Sequence, residues 1–442
     1  MIQKKKSELK DWYFSQFKQF ENSLNGQSTT PRHSLRKQAM EKFIESGFPT
    51  NKDEEWKYTN ISPLLKVNFT PAVLHKNLII ERSEIEKYLV KNLQVNLLVF
   101  INGSFKEEFS SVLPQAEKIE VIDHALNQSE FIEQSSVLSN INENGFSALN
   151  TAFSLDGVII KVPENSVFED PVHLLFLSGD KENNLLIQPR NILIVGKNSR
   201  LKVVESYHSL YANPYLLNGV TNIVIEENSI LDYYKIQNEA DTSFHINRTR
   251  VLEKRSGTFT SYTVSLGGEI IRNDLNAILD DENSECHYFG LYLANDKMMI
   301  DNHTLIDHAK PHCQSNELYK GILDGNSKGV FNGKVIVRKD AQKTLAYQSN
   351  KNLLLSKEAK INTKPQLEIF ADDVKCSHGA TVGQLDEQSL FYLQSRGINK
   401  EKARSILIKA FASDILDLIK IEQLKEQLSD QILKKLNRIS IL

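Results

Sequence analysis

The sequence predicts a mainly β protein, with a β-solenoid (β-helix) core between a helical N-terminal region and a helical C-terminal region. Two patterns support this prediction. From about residue 155, short runs rich in Val, Ile, Leu, Phe and Tyr alternate with Asn, Ser, Gly and Asp turns, which is the pattern of strands joined by turns. On both sides of this segment, apolar residues recur at the spacing of amphipathic helices.

Composition narrows the class of protein. The chain has 442 residues and a formal net charge of −3, from 53 basic and 56 acidic side chains. We expect two or three domains, or one elongated domain with appendages. The balanced charge argues against nucleic-acid binding by bulk electrostatics. Cys286, Cys313 and Cys376 are far apart and odd in number, which does not predict a disulfide framework. With no run near the roughly 20 apolar residues of a membrane span and no signal peptide, we expect a cytoplasmic protein.

The first 155 residues are predicted to form two regions. Residues 1–60 form a helical N-terminal region, because an aromatic stripe recurs there at helical spacing. The stripe comprises Leu9, Trp12, Tyr13, Phe17 and Phe20, and such stripes are typical of a core or a docking surface. Residues 53–59 (DEEWKYT) are interpreted as a charged loop pinned by Trp56. Residues 61–155 alternate short apolar runs with helical stretches, which predicts a mixed α/β connector.

Residues 156–383 are predicted to form the β-helix core, because a polar turn recurs before each alternating strand. Its copies are 164–166 (ENS), 197–199 (KNS), 227–229 (ENS), 254–256 (KRS) and 282–284 (ENS), with serines 33, 30, 27 and 28 residues apart. A repeat of this length indicates a solenoid or a propeller. The repeats contain strands but no helical pattern, and they lack the Gly-His and Trp-Asp pairs of a propeller blade, which favours a β-helix. Stacked coils leave an open sheet edge at each end, and such edges must be covered or paired.

Residues 384–442 are predicted to form a C-terminal helical domain. One apolar stripe runs from Ala403 to Leu418 and another from Leu424 to Leu436. Two interpretations are open. The helices would either pack onto the end of the solenoid or form a hairpin that docks a partner.

The candidate site is the segment 371–385 (ADDVKCSHGATVGQL), near the predicted end of the solenoid. Cys376 and His378 are two positions apart, so their side chains share one face of an extended strand. Both groups bind iron or zinc, and a thiolate is also a nucleophile and a sulfur acceptor. A metal site normally needs four ligands, or three and an exchangeable position. The spacing is compatible with half a metal site, completed by another segment or chain, and also with a buried thiol beside a hydrogen-bonded histidine.

The other motifs of the sequence say less about the function of the protein. His303, His308, His312 and Cys313 form the densest histidine stretch, which is either an independent metal site or a set of polar side chains stacked inside the coils. Residues 329–334 (GVFNGK) superficially resemble a phosphate loop, but the first glycine and the final Ser or Thr of that motif are missing. The chain contains no GxSxG, HExxH or CxxC motif. These absences favour a scaffold over an enzyme.

The segment 371–398 (ADDVKCSHGATVGQLDEQSLFYLQSRGI) closely resembles the SufD family, whose members are subunits of the bacterial SUF machinery for iron–sulfur cluster assembly. The resemblance extends to 329–334, 341–344 (AQKT), 364–370 (KPQLEIF) and 53–59. The related SufB family shares the solenoid and part of the histidine-rich stretch, but its cysteine-centred motif differs from KCSH at 375–378. The resemblance therefore covers both ends and the core of the chain.

This resemblance implies a right-handed parallel β-helix and a non-catalytic scaffold subunit. SufD-like proteins pair with a SufB subunit through the end of the β-helix and bind a SufC ATPase through their C-terminal helices. A transient iron–sulfur cluster is implied at the SufB interface, with Cys376 and His378 as half of a shared site and no cofactor bound to the isolated chain. ATP-driven movement of SufC would open or distort this interface. The residues expected to contact SufC are Phe391, Leu393, Arg396, Ala403, Leu407 and Phe411.

Three functions follow from these observations as hypotheses. The first is the scaffold subunit, which as an isolated chain would form a homodimer through its exposed end coil or stay monomeric. The second is a β-helix carbohydrate-active enzyme, which predicts a groove lined with carboxylates. The third is a self-contained metal-binding protein that uses the histidine-rich stretch with Cys313, and it predicts that the lone chain retains metal.

Overall fold

A computed structural model of the chain describes residues 2–24, 31–75, 78–112, 121–122, 144–154 and 157–439. Most of these residues belong to a parallel β-helix flanked by N-terminal and C-terminal helices, so the predicted fold class is confirmed. The predicted connector 61–155 lies partly outside the described residues. Among the residues that are described, no helix is long and apolar enough to cross a membrane.

Two sheets form the β-helix, and from β8 onward successive strands alternate between them. The strands are β1 (Thr70–Pro71), β2 (Asn96–Ile101), β3 (Ser104–Phe105), β4 (Val121–Ile122), β5 (Gly157–Val162), β6 (Val172–Ser178), β7 (Leu185–Ile187), β8 (Arg190–Val195), β9 (Arg200–Ser209), β10 (Tyr215–Ile225), β11 (Ile230–Asn238), β12 (Phe244–Glu253), β13 (Thr258–Gly267), β14 (Ile270–Leu279), β15 (Glu285–Ala294), β16 (Met299–His308), β17 (Gln314–Leu323), β18 (Lys328–Val337), β19 (Leu345–Leu354), β20 (Lys360–Ile369) and β21 (Lys375–Gly383). From β8 onward, each even-numbered strand pairs in parallel within an eleven-stranded sheet and each odd-numbered strand within a ten-stranded sheet. Strand β2 also joins the ten-stranded sheet through β6, so the β-helix begins inside the predicted connector.

The α-helices of the described residues lie outside the solenoid. They are α1 (Ile2–Ser23), α2 (Pro31–Ser46), α3 (Arg82–Glu86), α4 (Gly145–Phe153), α5 (Glu387–Ser395), α6 (Lys400–Leu416) and α7 (Glu422–Ile439). A short 3₁₀ helix, Glu54–Trp56, follows α2 and buries its Trp56 side chain. The predicted pinning of the segment 53–59 by Trp56 is therefore present in the structure.

The recurring polar turn is a corner at which one residue adopts a left-handed backbone conformation. Asn165, Asn198, Asn228 and Asn283 hold this position, with φ of 57°, 55°, 57° and 61°. Asn adopts this conformation more readily than most residues with a side chain. The stacked amides also bond to each other, since Asn198 Nδ2 donates to Asn165 Oδ1 at 2.9 Å and Asn228 Nδ2 to Asn198 Oδ1 at 3.2 Å. The repeat in the sequence is thus the repeat of one corner.

Compared with the prediction, the structure places the corner of one copy of this repeat one residue later and contains two further copies. In the triplet 254–256, Ser256 and not the central Arg255 has the positive φ, at 54°, so the predicted alignment of this copy is wrong by one residue. His312 and Lys343 hold the corner in later coils, with φ of 62° and 64°. Ser256 and His312 each donate their backbone N–H to the carbonyl oxygen of the residue that precedes the next corner position, as the asparagines do. The copies at His312 and Lys343 lack the Asn-Ser pair and were therefore not visible in the sequence.

Two apolar clusters bury the lumen and one outer face of the solenoid. The lumen cluster is continuous along the β-helix and includes Leu231, Phe259 and Cys286. A second cluster lies between the outer face of the eleven-stranded sheet and the N-terminal helices, where Phe17 of α1 belongs to the same cluster as Phe244 of β12. Strands buried on both faces need apolar residues at nearly every position, which explains the weak alternation of many strands.

The C-terminal helices cover the outer face of the ten-stranded sheet. Ile415 of α6 and Leu428 of α7 belong to one buried cluster with Tyr234, Tyr262 and Phe289 of the sheet. The helices therefore pack along the side of the solenoid, and the interpretation that they pack onto its end is wrong. This arrangement leaves the last coil of the β-helix uncovered by them.

Candidate functional site

The last coil, formed by β20 and β21, is the open end of the β-helix. Among the described strands, β20 pairs only with β18 and β21 only with β19, so the outer edge of each strand presents unpaired backbone N–H and C=O groups. Apolar side chains border this end, since Ile369, Phe370 and Val382 are 41%, 63% and 49% exposed. Unpaired edges next to exposed apolar side chains are suited to binding another chain.

Cys376 lies in β21 with its thiol against the lumen core. It is in register with the buried Ala346 of β19 and packs against the apolar cluster that fills the solenoid. Burial raises the pKa of the Cys376 thiol, although a backbone hydrogen bond with Ala346 lowers it in part. The isolated chain therefore holds Cys376 mostly as a thiol near neutral pH, and a bound iron ion would favour the thiolate.

His378 lies two residues further along the same face of β21 and is exposed. It is in register with Gln348 of β19, which is 3% exposed. The strand predicted for Cys376 and His378 is present, with the thiol directed to the core and the imidazole at the mouth of the lumen. Within the part of the chain that the structure describes, no group of three or more His, Cys, Asp and Glu side chains could hold a metal ion.

The histidine-rich stretch does not come together as one site. His303 lies on the outer face of the eleven-stranded sheet, where its Nδ1 is 3.3 Å from Glu55 Oε2. His308 and Cys313 are buried, whereas His312 is exposed at a corner of the solenoid. The side chains are thus distributed between the outer face, the interior and the surface, which argues against the hypothesis of a self-contained metal site.

A cleft of about 860 Å³ lies between the N-terminal region and the eleven-stranded sheet. Two of its carboxylates are engaged in ion pairs, Glu55 with His303 and Asp274 with Arg272 at 2.8 Å. The hydrogen bond with His303 lowers the pKa of Glu55, whereas the general acid of a glycosidase needs a raised pKa. The cleft therefore does not support the carbohydrate-active enzyme.

The floor of this cleft contains a buried charge network that sequence reasoning missed. Arg272 and Asp301 are 2% and 0% exposed, and Arg272 Nη1 lies 2.7 Å from Asp301 Oδ2. Thr59 also donates its hydroxyl to Asp301, which connects the network to the N-terminal region. Ionisable residues at alternating positions of a strand, as in 270–275 (IIRNDL) and 299–304 (MIDNHT), are the signal that could have identified it.

The segment 329–334 lies in β18 and takes part in packing, not in phosphate binding. A Cβ atom at Gly333 would lie 2.4 Å from Nε2 of Gln348, so this glycine makes room for a side chain of the facing sheet. Lys334 Nζ is 3.1 Å from Glu368 Oε1 on the neighbouring β20.

The residues predicted to dock an ATPase differ in how far their side chains are exposed. Phe391 of α5 is 70% exposed, and Arg396, which ends this helix, is also exposed. Ala403 is fully buried, and the partly buried Phe411 lies under the ammonium of Lys320, 4.2 Å from its ring centre. The remaining two, Leu393 and Leu407, are half-buried. Phe391 and Arg396 are thus the members of this set that lie freely on the surface.

Comparisons with known proteins cover nearly the whole chain. Residues 176–411 match the family described as "SUF system FeS cluster assembly, SufBD core domain", and residues 7–174 match the "SufBD protein N-terminal region". An iron–sulfur cluster assembly SufBD family protein of Synechocystis is 35% identical over 391 residues, 86% of either chain. The iron–sulfur cluster assembly protein SufD of Escherichia coli is 30% identical over 416 residues, which are 92% of this chain and 94% of that protein. The chloroplastic protein ABCI7 of Arabidopsis thaliana is 30% identical over 423 residues, which are 92% of this chain and 86% of that protein.

Proposed function

Because the chain belongs to the SufBD family of iron–sulfur cluster assembly proteins and is a homologue of SufD, we propose that it is a non-catalytic scaffold subunit in the assembly of these clusters. The nascent cluster is then a substrate that passes through the complex and not a resident cofactor. One observation carries the proposal: the open end of the β-helix contains, in a single strand, an unpaired edge and the incomplete ligand pair Cys376 and His378.

The partner at this end is a SufB-type subunit. The open coil offers the outer edges of β20 and β21 together with the exposed Phe370 and Val382, and a second β-helix that ends in the same way would cover both edges. That subunit would also complete the ligand set around His378. An imidazole in place of a thiolate changes the ligand set of an iron–sulfur cluster. A site divided between two chains holds its cluster only while the interface is closed, which suits a scaffold that must release its product.

The C-terminal helices bind a SufC-type ATPase. Helix α5 has no buried residue and packs against α6, so its exposed Phe391 and Arg396 are free to contact a partner. Helix α6 is anchored on the β-helix, because the ammonium of Lys320 donates to the carbonyl oxygen of Phe411 at 2.8 Å and forms an ion pair with Asp414. Movement of a subunit bound at α5 would therefore be transmitted to the β-helix and to its open end.

The proposal is tested by co-expressing this chain with SufB-type and SufC-type homologues, followed by anaerobic purification and measurement of iron and acid-labile sulfide. The variants are His378→Ala and Cys376→Ser, and the matched control is His312→Ala, which removes an exposed histidine at a corner two coils below the open end. We expect all variants to form the complex. The cluster should be lost in His378→Ala, and also in the double variant that combines His378→Ala with Cys376→Ser. Equal iron and sulfide in His378→Ala and the wild type would contradict the shared site.

A further inference from the structure

Beneath the candidate site, the preceding coil carries a polar side chain inside the solenoid. Gln348 of β19 is in register with His378 of β21, so the two side chains project from the same face of the sheet on strands about 4.8 Å apart. Gln348 is 3% exposed, whereas its neighbour Tyr347 is 48% exposed. The amide of Gln348 therefore points into the lumen, on the strand next to the one that carries His378.

Two contacts hold this amide in position. Gln348 Nε2 donates to Glu317 Oε2 at 2.7 Å, and Glu317 lies one coil further from the open end, in register with Gln348. On the facing sheet, Gly333 leaves the space that the amide occupies, because a Cβ there would be 2.4 Å from Nε2. The nitrogen is directed toward Glu317, so the oxygen on the other arm of the amide is directed away from that coil.

The amide oxygen of Gln348 has no hydrogen-bond partner among the described residues, although it is buried. A buried oxygen without a partner is costly, and a site that contains one normally has a donor to satisfy it. On the adjacent strand, the residue in register with Gln348 is His378, whose ring carries an N–H that can donate. We infer that Gln348 is a positioning residue for His378, and that its Oε1 accepts a hydrogen bond from one ring nitrogen of the imidazole.

This hydrogen bond would prepare His378 to act as a ligand. A histidine that donates one ring N–H to an oxygen is held in a single tautomer and orientation, and its other nitrogen keeps a lone pair for a metal ion. In His378 that second nitrogen would face the open end and the partner chain. The consequence for cluster assembly rests on the proposed function, whereas the hydrogen bond itself does not.

The test measures the imidazole directly. The full chain is labelled with ¹⁵N in its 11 histidines, and long-range ¹H–¹⁵N spectra are recorded at a pH where the imidazoles are neutral, with His378→Gln to assign the signal. In the wild type we expect one tautomer of His378 to dominate. In Gln348→Met we expect the tautomer ratio to move to that of the exposed His312, which serves as the internal reference.

Two further variants keep the test independent of a general loss of structure. The double variant Glu317→Gln with Gln348→Glu exchanges the amide and the carboxyl, so that the bond between them and an oxygen facing His378 are both retained. It should preserve the wild-type tautomer. Gly333→Ala displaces the amide from the facing sheet, and it should alter the His378 signal in the same direction as Gln348→Met does.

The outcomes separate this inference from the proposed function. An unchanged His378 signal in Gln348→Met, or the same change in the exchange variant, would overturn the inference. In the co-purified complex, Gln348→Met should lower iron and sulfide content about tenfold or more, as the loss of a partner that orients a ligand does elsewhere. If His378→Ala leaves cluster content intact while Gln348→Met still changes the ring signal, the proposed function fails and the hydrogen bond stands.

Discussion

The guanidinium carbon of Arg272 lies 3.8 Å from the centre of the Trp56 ring, so a buried cation stacks on the one tryptophan of the segment 53–59. Arg272 also donates to the backbone carbonyl of Glu55 at 2.8 Å. Cation–π contacts of a desolvated arginine contribute about 2 kcal/mol. This single side chain of β14 therefore joins the N-terminal region to the β-helix.

Replacement of Arg272 by Met should destabilise the chain by about 3–5 kcal/mol, because Asp274 and Asp301 are buried and both lose their ion pair with its guanidinium. We expect an earlier urea transition and faster proteolysis near the segment 53–59. Arg255→Met is the matched control, since Arg255 is half exposed at a corner. Equal urea midpoints for the two variants would show that the network does not hold this region in place.

His303 should make the stability depend on alkaline pH. Burial lowers the pKa of His303, but the charge of Asp301 and the hydrogen bonds with Asp301 and Glu55 together raise it to about 9. A raised pKa stabilises the fold below the unfolded value of about 6.5, and this contribution is lost as pH rises through about 9. Urea midpoints between pH 7 and pH 10 should fall less in His303→Gln than in the wild type. His312→Gln should retain the wild-type slope, and a wild-type slope in His303→Gln would contradict the assignment.

Glu317 should make the stability depend on mildly acidic pH. Burial raises the pKa of Glu317 to about 7, against hydrogen bonds with Thr304 and Gln348 that lower it. The folded chain therefore binds this proton more tightly than the unfolded chain does. Stability should fall by on the order of 3 kcal/mol as pH rises from about 4.5 to about 7, and should then level off. Glu317→Gln should flatten this range in urea titrations, whereas Glu227→Gln, at a side chain that is 44% exposed, should not.

Cys376 should be the most reactive cysteine, although it reacts more slowly than a free thiol. Burial raises the pKa of all three thiols, and Cys286 and Cys313 are fully buried whereas Cys376 is only half-buried. Alkylation with iodoacetamide at pH 8, followed by mass spectrometry, should modify Cys376 first. A SufB-type partner should protect it. Modification of Cys286 before Cys376 would contradict the position of Cys376 at the open end.

Phe370 should contribute to association at the open end and little to folding, because it is 63% exposed beside the edge of β20. We expect Phe370→Glu to weaken binding of the SufB-type partner at least tenfold, and to weaken any self-association of the isolated chain, with an unchanged thermal transition. Val167→Glu, at a residue 56% exposed near the other end of the solenoid, is the control. Sedimentation velocity measures both effects. Undiminished pairing in Phe370→Glu would place the interface elsewhere.

Much of the fold could be predicted because it repeats locally. The corner needs a residue that tolerates a positive φ, and Asn165, Asn198, Asn228 and Asn283 supply one in four of the coils. Where the same corner is held by His312 or Lys343, no residue type marks it, and the repeat disappears from the sequence although the backbone is the same. The strand that carries Cys376 and His378 was predictable for a similar reason, since alternation places residues two apart on one face.

The buried charges could not be predicted, because their partners lie far apart in the chain. Arg272 meets Trp56 and Asp301 only after the N-terminal segment folds onto the eleven-stranded sheet. Gln348 and Glu317 are separated by one coil, and nothing in their local sequence shows that both point into the lumen.

The sequence by itself determined the β-helix, its helical flanks and the pairing of Cys376 with His378 on one strand face, because corners and alternation are local properties of the backbone. Only the tertiary structure decided that the C-terminal helices cover the side of the solenoid and leave its last coil open. The position of these helices depends on which apolar faces fit each other, and the residues that form those faces are up to hundreds of positions apart in the chain. Packing of this kind is selected by shape and burial in three dimensions, which no single stretch of sequence records.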